Sequence, residues 1–124
     1  MDVDELMRAS RAEIKIQEIF EMYDVPFAME YSFPDLNTPN GVPLRFDFAV
    51  FDDDGNIDFL LEYQGKQHYE AVGKFGGKRG LFQQQFNDKK KRNYCLLHNI
   101  KLIEIPYLEE NLISFDYIMH KAGY

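Results

Sequence analysis

The side chains in this sequence best suited to chemistry are an aspartate inside an apolar run and, further on, an acid, an amide and a histidine in close succession. In Leu44-Arg45-Phe46-Asp47-Phe48-Ala49-Val50 the Asp47 carboxylate interrupts what reads as a buried strand. A charge in such a place is costly unless it is paired or holds a metal; the plain alternative is a carboxylate on the solvent face of an ordinary alternating strand. The stretch Leu60-Leu61-Glu62-Tyr63-Gln64-Gly65-Lys66-Gln67-His68-Tyr69 carries the second group. Strand side chains alternate faces, so Glu62, Gln64 and Lys66 project together for as long as the strand persists. If the two runs pair, Asp47 and Glu62 converge at strand ends, and paired oxygen donors suit Mg²⁺, with Mn²⁺ as a substitute. Such an ion polarises a phosphodiester and lowers the pKa of a bound water. His68, just past the Gly65 turn, is placed to move a proton near neutral pH. His98 and His120 lack such neighbours and are read as structural.

These residues need elements to position them. Ser10-Arg11-Ala12-Glu13 reads as a capping box, and Ile16, Ile19, Phe20 and Tyr23 share one helical face, so a first helix is expected over about residues 10–23. Pro26 ends it. Phe27 to Phe33, bounded by Pro34, suits an edge strand, and Asp35 to Pro43 a loop. Leu44–Phe51 and Ile57–Tyr63 are strands joined by Asp52-Asp53-Asp54-Gly55-Asn56, whose Asp-Gly pair supplies a tight hairpin turn. Glycines at 73, 76, 77 and 80 mark a loop. From Leu81 to about Asn99, Phe82, Phe86, Lys89 or Lys90, Asn93 and Leu97 recur at helical spacing, leaving a basic outer face. Ile100–Ile105 is a last strand ended by Pro106, and Asn111–His120 a last helix with Leu112, Phe115, Ile118 and Met119 as its apolar positions. A strand, crossover helix and strand give a parallel pair, so the fold class is α/β or α+β with a mixed sheet of about four strands flanked by helices.

The chain has 124 residues, 45% of them hydrophobic and 15% aromatic, which fits a single folded domain over 1–124 and argues against disorder. One cysteine, Cys95, excludes an intramolecular disulfide and a cysteine-built zinc site; a buried thiol is its ordinary role. The acidic start and the lack of a long apolar stretch speak against a signal peptide or membrane span, so an intracellular, cytoplasmic setting is expected. The net charge of −7, taken as a total, opposes nucleic-acid binding, yet it is unevenly spread. Residues 64–101 hold nine basic and two acidic side chains, a local balance of +7, while the rest holds five basic and nineteen acidic, or −14. A basic segment beside an acidic cluster suits a metal-using phosphodiesterase, although a solvated helix face gives the same count.

The string Leu-Arg-Phe-Asp-Phe, a hairpin, then Glu-Tyr-Gln-Gly-Lys-Gln-His-Tyr resembles the PD-(D/E)XK nuclease superfamily, and more narrowly the branch of very-short-patch-repair endonucleases and certain phage-type homing endonucleases. The run Phe75-Gly76-Gly77, then Asp88-Lys89-Lys90-Lys91-Arg92-Asn93-Tyr94-Cys95, and Ile100–Tyr107 extend the resemblance over about residues 10–107. It implies a restriction-endonuclease-like core in which Asp47 and Glu62 bind Mg²⁺ and His68 acts in proton transfer. Glu13 matches an acidic residue that completes the site, and Asp88 an acid on the second helix of homing-type members; a capping box and a helix pairing are their respective alternatives. The departure is Gln64, which stands where the superfamily usually has lysine. An amide orients a water or a phosphate oxygen but brings no charge, so Lys66 or Lys91 must supply it.

The resemblance thus implies a Mg²⁺-dependent endonuclease acting on DNA through Asp47, Glu62, Gln64, His68, Glu13 and Asp88. Lys66, Lys74, Lys78, Arg79, Lys89 and Lys91 would meet phosphates, contacts that give affinity and position but no sequence choice. Phe75 and Tyr69 are candidates for stacking on bases, with core packing the alternative for Phe75. With little surface for reading a long site, specificity is expected from a homo-oligomer or a partner protein. The rival expectation is a weakened or inactive nuclease-fold module that binds nucleic acid or a protein without cutting.

Overall fold

The computed structural model describes residues 3–73 and 76–124, with side chains described from residue 11 onward. Helix α1 spans Val3–Met22, and its buried face of Ala12, Ile16 and Phe20 follows the helical repeat. The helix begins well before Ser10, so the expected capping box does not form: a capping hydroxyl needs non-helical backbone at its own residue, and residue 10 is helical. Strands β1 (Phe27–Asn37), β2 (Pro43–Phe51) and β3 (Ile57–Gln64) follow, then helix α2 (Gly77–Leu97), strand β4 (Leu102–Pro106) and helix α3 (Phe115–Lys121). The sheet order is β1-β2-β3-β4, antiparallel in its first two pairings and parallel between β3 and β4, which α2 connects. This is an α+β fold with a mixed four-stranded sheet. No helix among the described residues is long and apolar enough to cross a membrane.

The core has two parts, one on each side of the sheet. Phe48, Val50, Phe59, Leu61, Tyr63, Ile103 and Ile105 pack with α1 and α3, while Leu36, Leu44, Phe46, Ala49 and Leu60 pack with Cys95 of α2. The hairpin between β2 and β3 turns on Gly55, at a φ of 82°, with the Asp52 carboxylate accepting from the backbone N–H groups of Asp54 and Asn56 at 2.9 Å.

Four local expectations change. Pro34 does not end β1, because on an edge strand its missing N–H costs no ladder bond; the pairing merely shifts register between Ser32 and Asn37. Gly77 and Gly80 lie within α2, so Lys78 and Arg79 are helical and not part of a loop. The stripe of Phe82, Phe86, Asn93 and Leu97 faces outward, while Asp88, Lys91 and Cys95 are the buried residues of α2. The last helix starts only at Phe115, capped by Ser114, whose hydroxyl accepts from the Tyr117 N–H at 3.1 Å; the preceding 3-10 segment Tyr107–Leu112 leaves Leu112 exposed.

One distortion shapes the site. Regular alternation would keep Phe46 on the same face as Phe48, yet the two lie in opposite core halves, as do Tyr31 and Phe27 on β1. The swap falls at Glu30 and Asp47, which stand opposite each other between the pairs Met29↔Phe48 and Tyr31↔Phe46. Glu30 has a φ of 51°, a left-handed conformation that costs a residue with a Cβ on the order of 1 kcal/mol. Glu30→Gly is expected to raise the unfolding free energy by up to about 0.5 kcal/mol in urea melts, after glycine's own entropy loss is deducted. A variant less stable than wild type would show that the conformation carries no strain.

Candidate active site

The β2–β3 register runs Val50↔Phe59, Ala49↔Leu60, Phe48↔Leu61, and the next pair along it is Asp47 and Glu62. There the ladder opens: Asp47 Oδ2 accepts the Tyr63 backbone N–H at 2.8 Å, so a side chain takes the place of a backbone acceptor. Asp47 is half-buried and Glu62 is 5% exposed. Burial raises the Asp47 carboxyl above its ordinary range, against the lowering effects of the Tyr63 N–H, Lys91 and His68. Burial likewise pushes Glu62 up to about 7, with Asp47 adding to the rise and Lys91 opposing it. Glu13, on the α1 side of the sheet, is pushed up to about 7 by burial, then by the charges of Asp47 and Glu30. The Asp47 charge therefore acts on both Glu13 and Glu62, an arrangement relieved by a proton or a cation.

Lys91 meets this cluster from α2. Its Nζ donates to Glu62 Oε1 at 2.6 Å, both side chains are buried, and the ammonium lies 5.4 Å from the centre of the Phe46 ring. Lys66, the other candidate for the missing charge, lies past the end of the strand: β3 ends at Gln64, and Lys66 opens a 3-10 turn, Lys66–His68, where it pairs with Glu70 at 3.4 Å. Gln64 is 3% exposed, and both ends of its amide are engaged, Nε2 donating to Glu104 and Oε1 accepting from the Tyr69 hydroxyl at 2.6 Å. Arg92 in turn grips Glu104 through Nε and Nη2, each at 2.6 Å.

His68 Nδ1 lies 2.8 Å from Asp88 Oδ2, and Asp88 Oδ1 accepts from Gln84 Nε2 at 3.1 Å. Burial alone would raise Asp88, but the His68 hydrogen bond and charge, with Gln84 and Lys91, outweigh it and hold Asp88 below its ordinary value. An ionised Asp88 accepts the hydrogen bond from Nδ1–H, so Nε2 is the ring nitrogen left for proton transfer. A cleft of about 500 Å³ opens beside this pair, lined by Gln64, His68, Tyr69, Gln85, Asp88, Lys89 and Arg92. Asp47 and Glu62 are not in its lining. His68 is the link, facing the cleft and also acting electrostatically on Asp47.

The donor set can be tested against the ion it was expected to hold. Asp47 uses Oδ2 on Tyr63 and Glu62 uses Oε1 on Lys91, which leaves one oxygen of each carboxylate with no hydrogen bond among the described residues. No three His, Cys, Asp or Glu side chains among the described residues form a closed metal cage. Two carboxylates completed by water and substrate oxygens are what Mg²⁺ commonly takes, so the residues fit that ion.

Of the expected phosphate contacts, Lys78, Arg79 and Lys89 are exposed on α2, Lys91 is buried against Glu62, Lys66 is paired with Glu70, and Lys74 lies outside the described residues, as does Phe75. Sequence reasoning missed Glu104, Arg92 and Glu30. Glu104 had a signal: it stands between Ile103 and Ile105 in β4, and parallel pairing sets it in register with Glu62.

No protein-family model and no solved structure matches this chain. It is similar to uncharacterized viral proteins: 094L of Frog virus 3 (isolate Goorha), 46% identical over 62 residues, covering 48% of this chain and 40% of the relative; and 307L of Invertebrate iridescent virus 6, 36% identical over 58 residues, covering 46% and 29%. Protein 033L of Invertebrate iridescent virus 3 is 32% identical over 100 residues, covering 79% of this chain and 50% of the relative. The chain thus spans half or less of the length of these curated relatives.

Proposed function

We propose that the chain is a metal-dependent endonuclease that hydrolyses phosphodiester bonds in DNA, built on a restriction-endonuclease-like core of the PD-(D/E)XK kind and using Mg²⁺, with Mn²⁺ as a substitute. The observation that carries the reading is the placement of Asp47 and Glu62 side by side where β2 and β3 part, with Lys91 on Glu62 and the His68–Asp88 pair alongside. The sequence resemblance selects the same residues. Bound between the two carboxylates, the ion would polarise the phosphate and lower the pKa of a water. His68 Nε2, the ring nitrogen left over by the Nδ1 contact with Asp88, takes a proton from the attacking water. Lys91 brings the positive charge that Gln64 lacks. Gln64 and Arg92, joined through Glu104, line the cleft, and Glu13 adds negative charge from the α1 side. A homo-oligomer or partner protein would supply sequence choice.

Supercoiled, linear, branched and single-stranded DNA incubated with Mg²⁺, Mn²⁺ or EDTA tests this. Metal-dependent cleavage of at least one form is expected, lost in Asp47→Ala while DNA binding persists. Absence of such cleavage on every form sinks the assignment. His68→Ala is expected to cut about 10²-fold more slowly at neutral pH; cleavage at the wild-type rate would remove His68 from the mechanism. The fully engaged amide of Gln64 favours one second reading, a module that grips DNA without cutting it, and that reading predicts gel shifts indifferent to Asp47→Ala with no nicking in any metal.

A further inference from the structure

Helix α2 carries its amphipathicity reversed. Asp88, Lys91 and Cys95 are buried beneath it, whereas Phe82 is 72% exposed and Phe86 52%. Single exposed apolar side chains are ordinary. Here, however, two phenyl rings lie one turn apart on a stripe that also carries Lys78, Gln85 and Lys89, with Arg79 beside it. No acidic side chain is exposed between Gly77 and Lys89, since Asp88 points inward. Lys90, Lys91 and Arg92 are held by Asn37, Glu62 and Glu104. Lys78, Arg79 and Lys89 make no ion pair or hydrogen bond among the described residues.

We propose that this stripe is a base-stacking platform: Phe82 and Phe86 lie against unpaired bases of a nucleic-acid strand whose flanking phosphates are held by Lys78, Arg79 and Lys89. The chemistry of the face selects the occupant. An apolar protein partner would leave three cations desolvated and unmatched, whereas a strand offers both π-faces and anions at short, regular intervals. Four residues of helix rise about 6 Å, close to two stacking steps of about 3.4 Å, which leaves room for one base between the rings. The stripe ends at Gln85 and Lys89, which line the cleft with His68, so a strand laid along it leads its backbone toward the proposed chemistry. The inference rests on the nuclease reading for the destination of that strand and commits it to a substrate class, DNA with unpaired bases: single strands, flaps or opened duplex.

The test is binding of the full chain in EDTA to a fluorescent single-stranded oligonucleotide and to an abasic strand of the same length. Phe82→Ala/Phe86→Ala is expected to weaken binding to the base-bearing strand about 10- to 100-fold and to leave the abasic strand within about twofold. Lys78→Ala/Lys89→Ala weakens both and reduces the salt slope by about 1.4 units. The chain has no tryptophan, so Phe82→Trp gives a single indole reporter, whose emission is expected to be quenched by the base-bearing strand alone. Equal losses on both strands, or no loss on either, overturn the platform. So does a wild-type dimer that ignores both strands and that the double phenylalanine variant makes monomeric. Binding in EDTA needs no hydrolysis. Base-dependent binding without metal-dependent cleavage therefore removes the nuclease reading alone, and cleavage with base-independent binding removes this inference alone.

Discussion

Lys91→Met is expected to slow metal-dependent cleavage about 10³-fold, while Lys66→Met stays within about twofold of wild type, because only one of the two ammonium groups stands on a candidate metal carboxylate. Lys91 Nζ sits 2.6 Å from Glu62 Oε1 in a nearly water-free setting, whereas Lys66 pairs with Glu70 on a half-exposed turn. A charge in low dielectric acts far more strongly on a developing negative charge than the same group in water. Methionine keeps much of the side-chain length and removes the charge, so the packing over Phe46 is largely retained. The substitution also removes the main influence that lowers Glu62, whose pKa then rises further above about 7. Glu62 is protonated over a wider pH range, and part of the lost rate is expected to return as the assay is made more alkaline. A purely structural lysine would give a less stable protein with an unmoved pH profile. Equal effects of Lys66→Met and Lys91→Met would show that the charge replacing the lysine expected at position 64 has been misassigned.

The parts of this site that could be read from sequence are those fixed by strand geometry. Asp47 and Glu62 were legible because period-2 alternation and the Asp54-Gly55 hairpin leave few registers, and any of them near the true one brings the two acids together. The parallel pairing of β4 followed from the crossover helix. Helix phase was the weak step. Hydrophobicity assigned Phe82 and Phe86 to a patterned stripe, but α2 is tied to the sheet by the Lys91–Glu62 ion pair and to the 3-10 turn by the Asp88–His68 pair, through residues that a periodicity argument counts as outward-facing. The same blindness left Lys66 and Lys91 equal as replacements for the missing lysine, since the choice depends on whether the chain turns at Gly65. Ser10 and Glu13 matched a capping box by residue type, and nothing in four residues says that a helix is already under way. The left-handed backbone at Glu30 leaves no sequence signal, because glutamate is not a residue chosen for that conformation.

In EDTA the protein is expected to be most stable on the acid side of neutrality and to lose about 3 kcal/mol of stability between about pH 5 and about pH 8, with Mg²⁺ restoring much of it at the upper end. The sign follows from Glu62, whose folded value of about 7 lies above its ordinary 4.5. Between those values the native state binds more protons than the unfolded chain, so raising the pH favours unfolding, and the loss is complete once Glu62 has ionised. Glu13, also raised to about 7 from 4.5, acts in the same direction. A divalent cation needs the carboxylates ionised, so its stabilising effect should grow as the pH rises through about 7, and its binding should release protons below that point. Urea melts across this range, with Mg²⁺ or EDTA, read the effect directly. Glu62→Gln is expected to flatten about half of the slope in EDTA, Glu13 carrying much of the rest, and to abolish the Mg²⁺-dependent gain, whereas Glu70→Gln, on the exposed turn, changes neither. Mg²⁺ stabilising the protein equally at about pH 5 and about pH 8 would place the ion somewhere other than Asp47 and Glu62, since a site built from these two acids cannot bind it while they hold their protons.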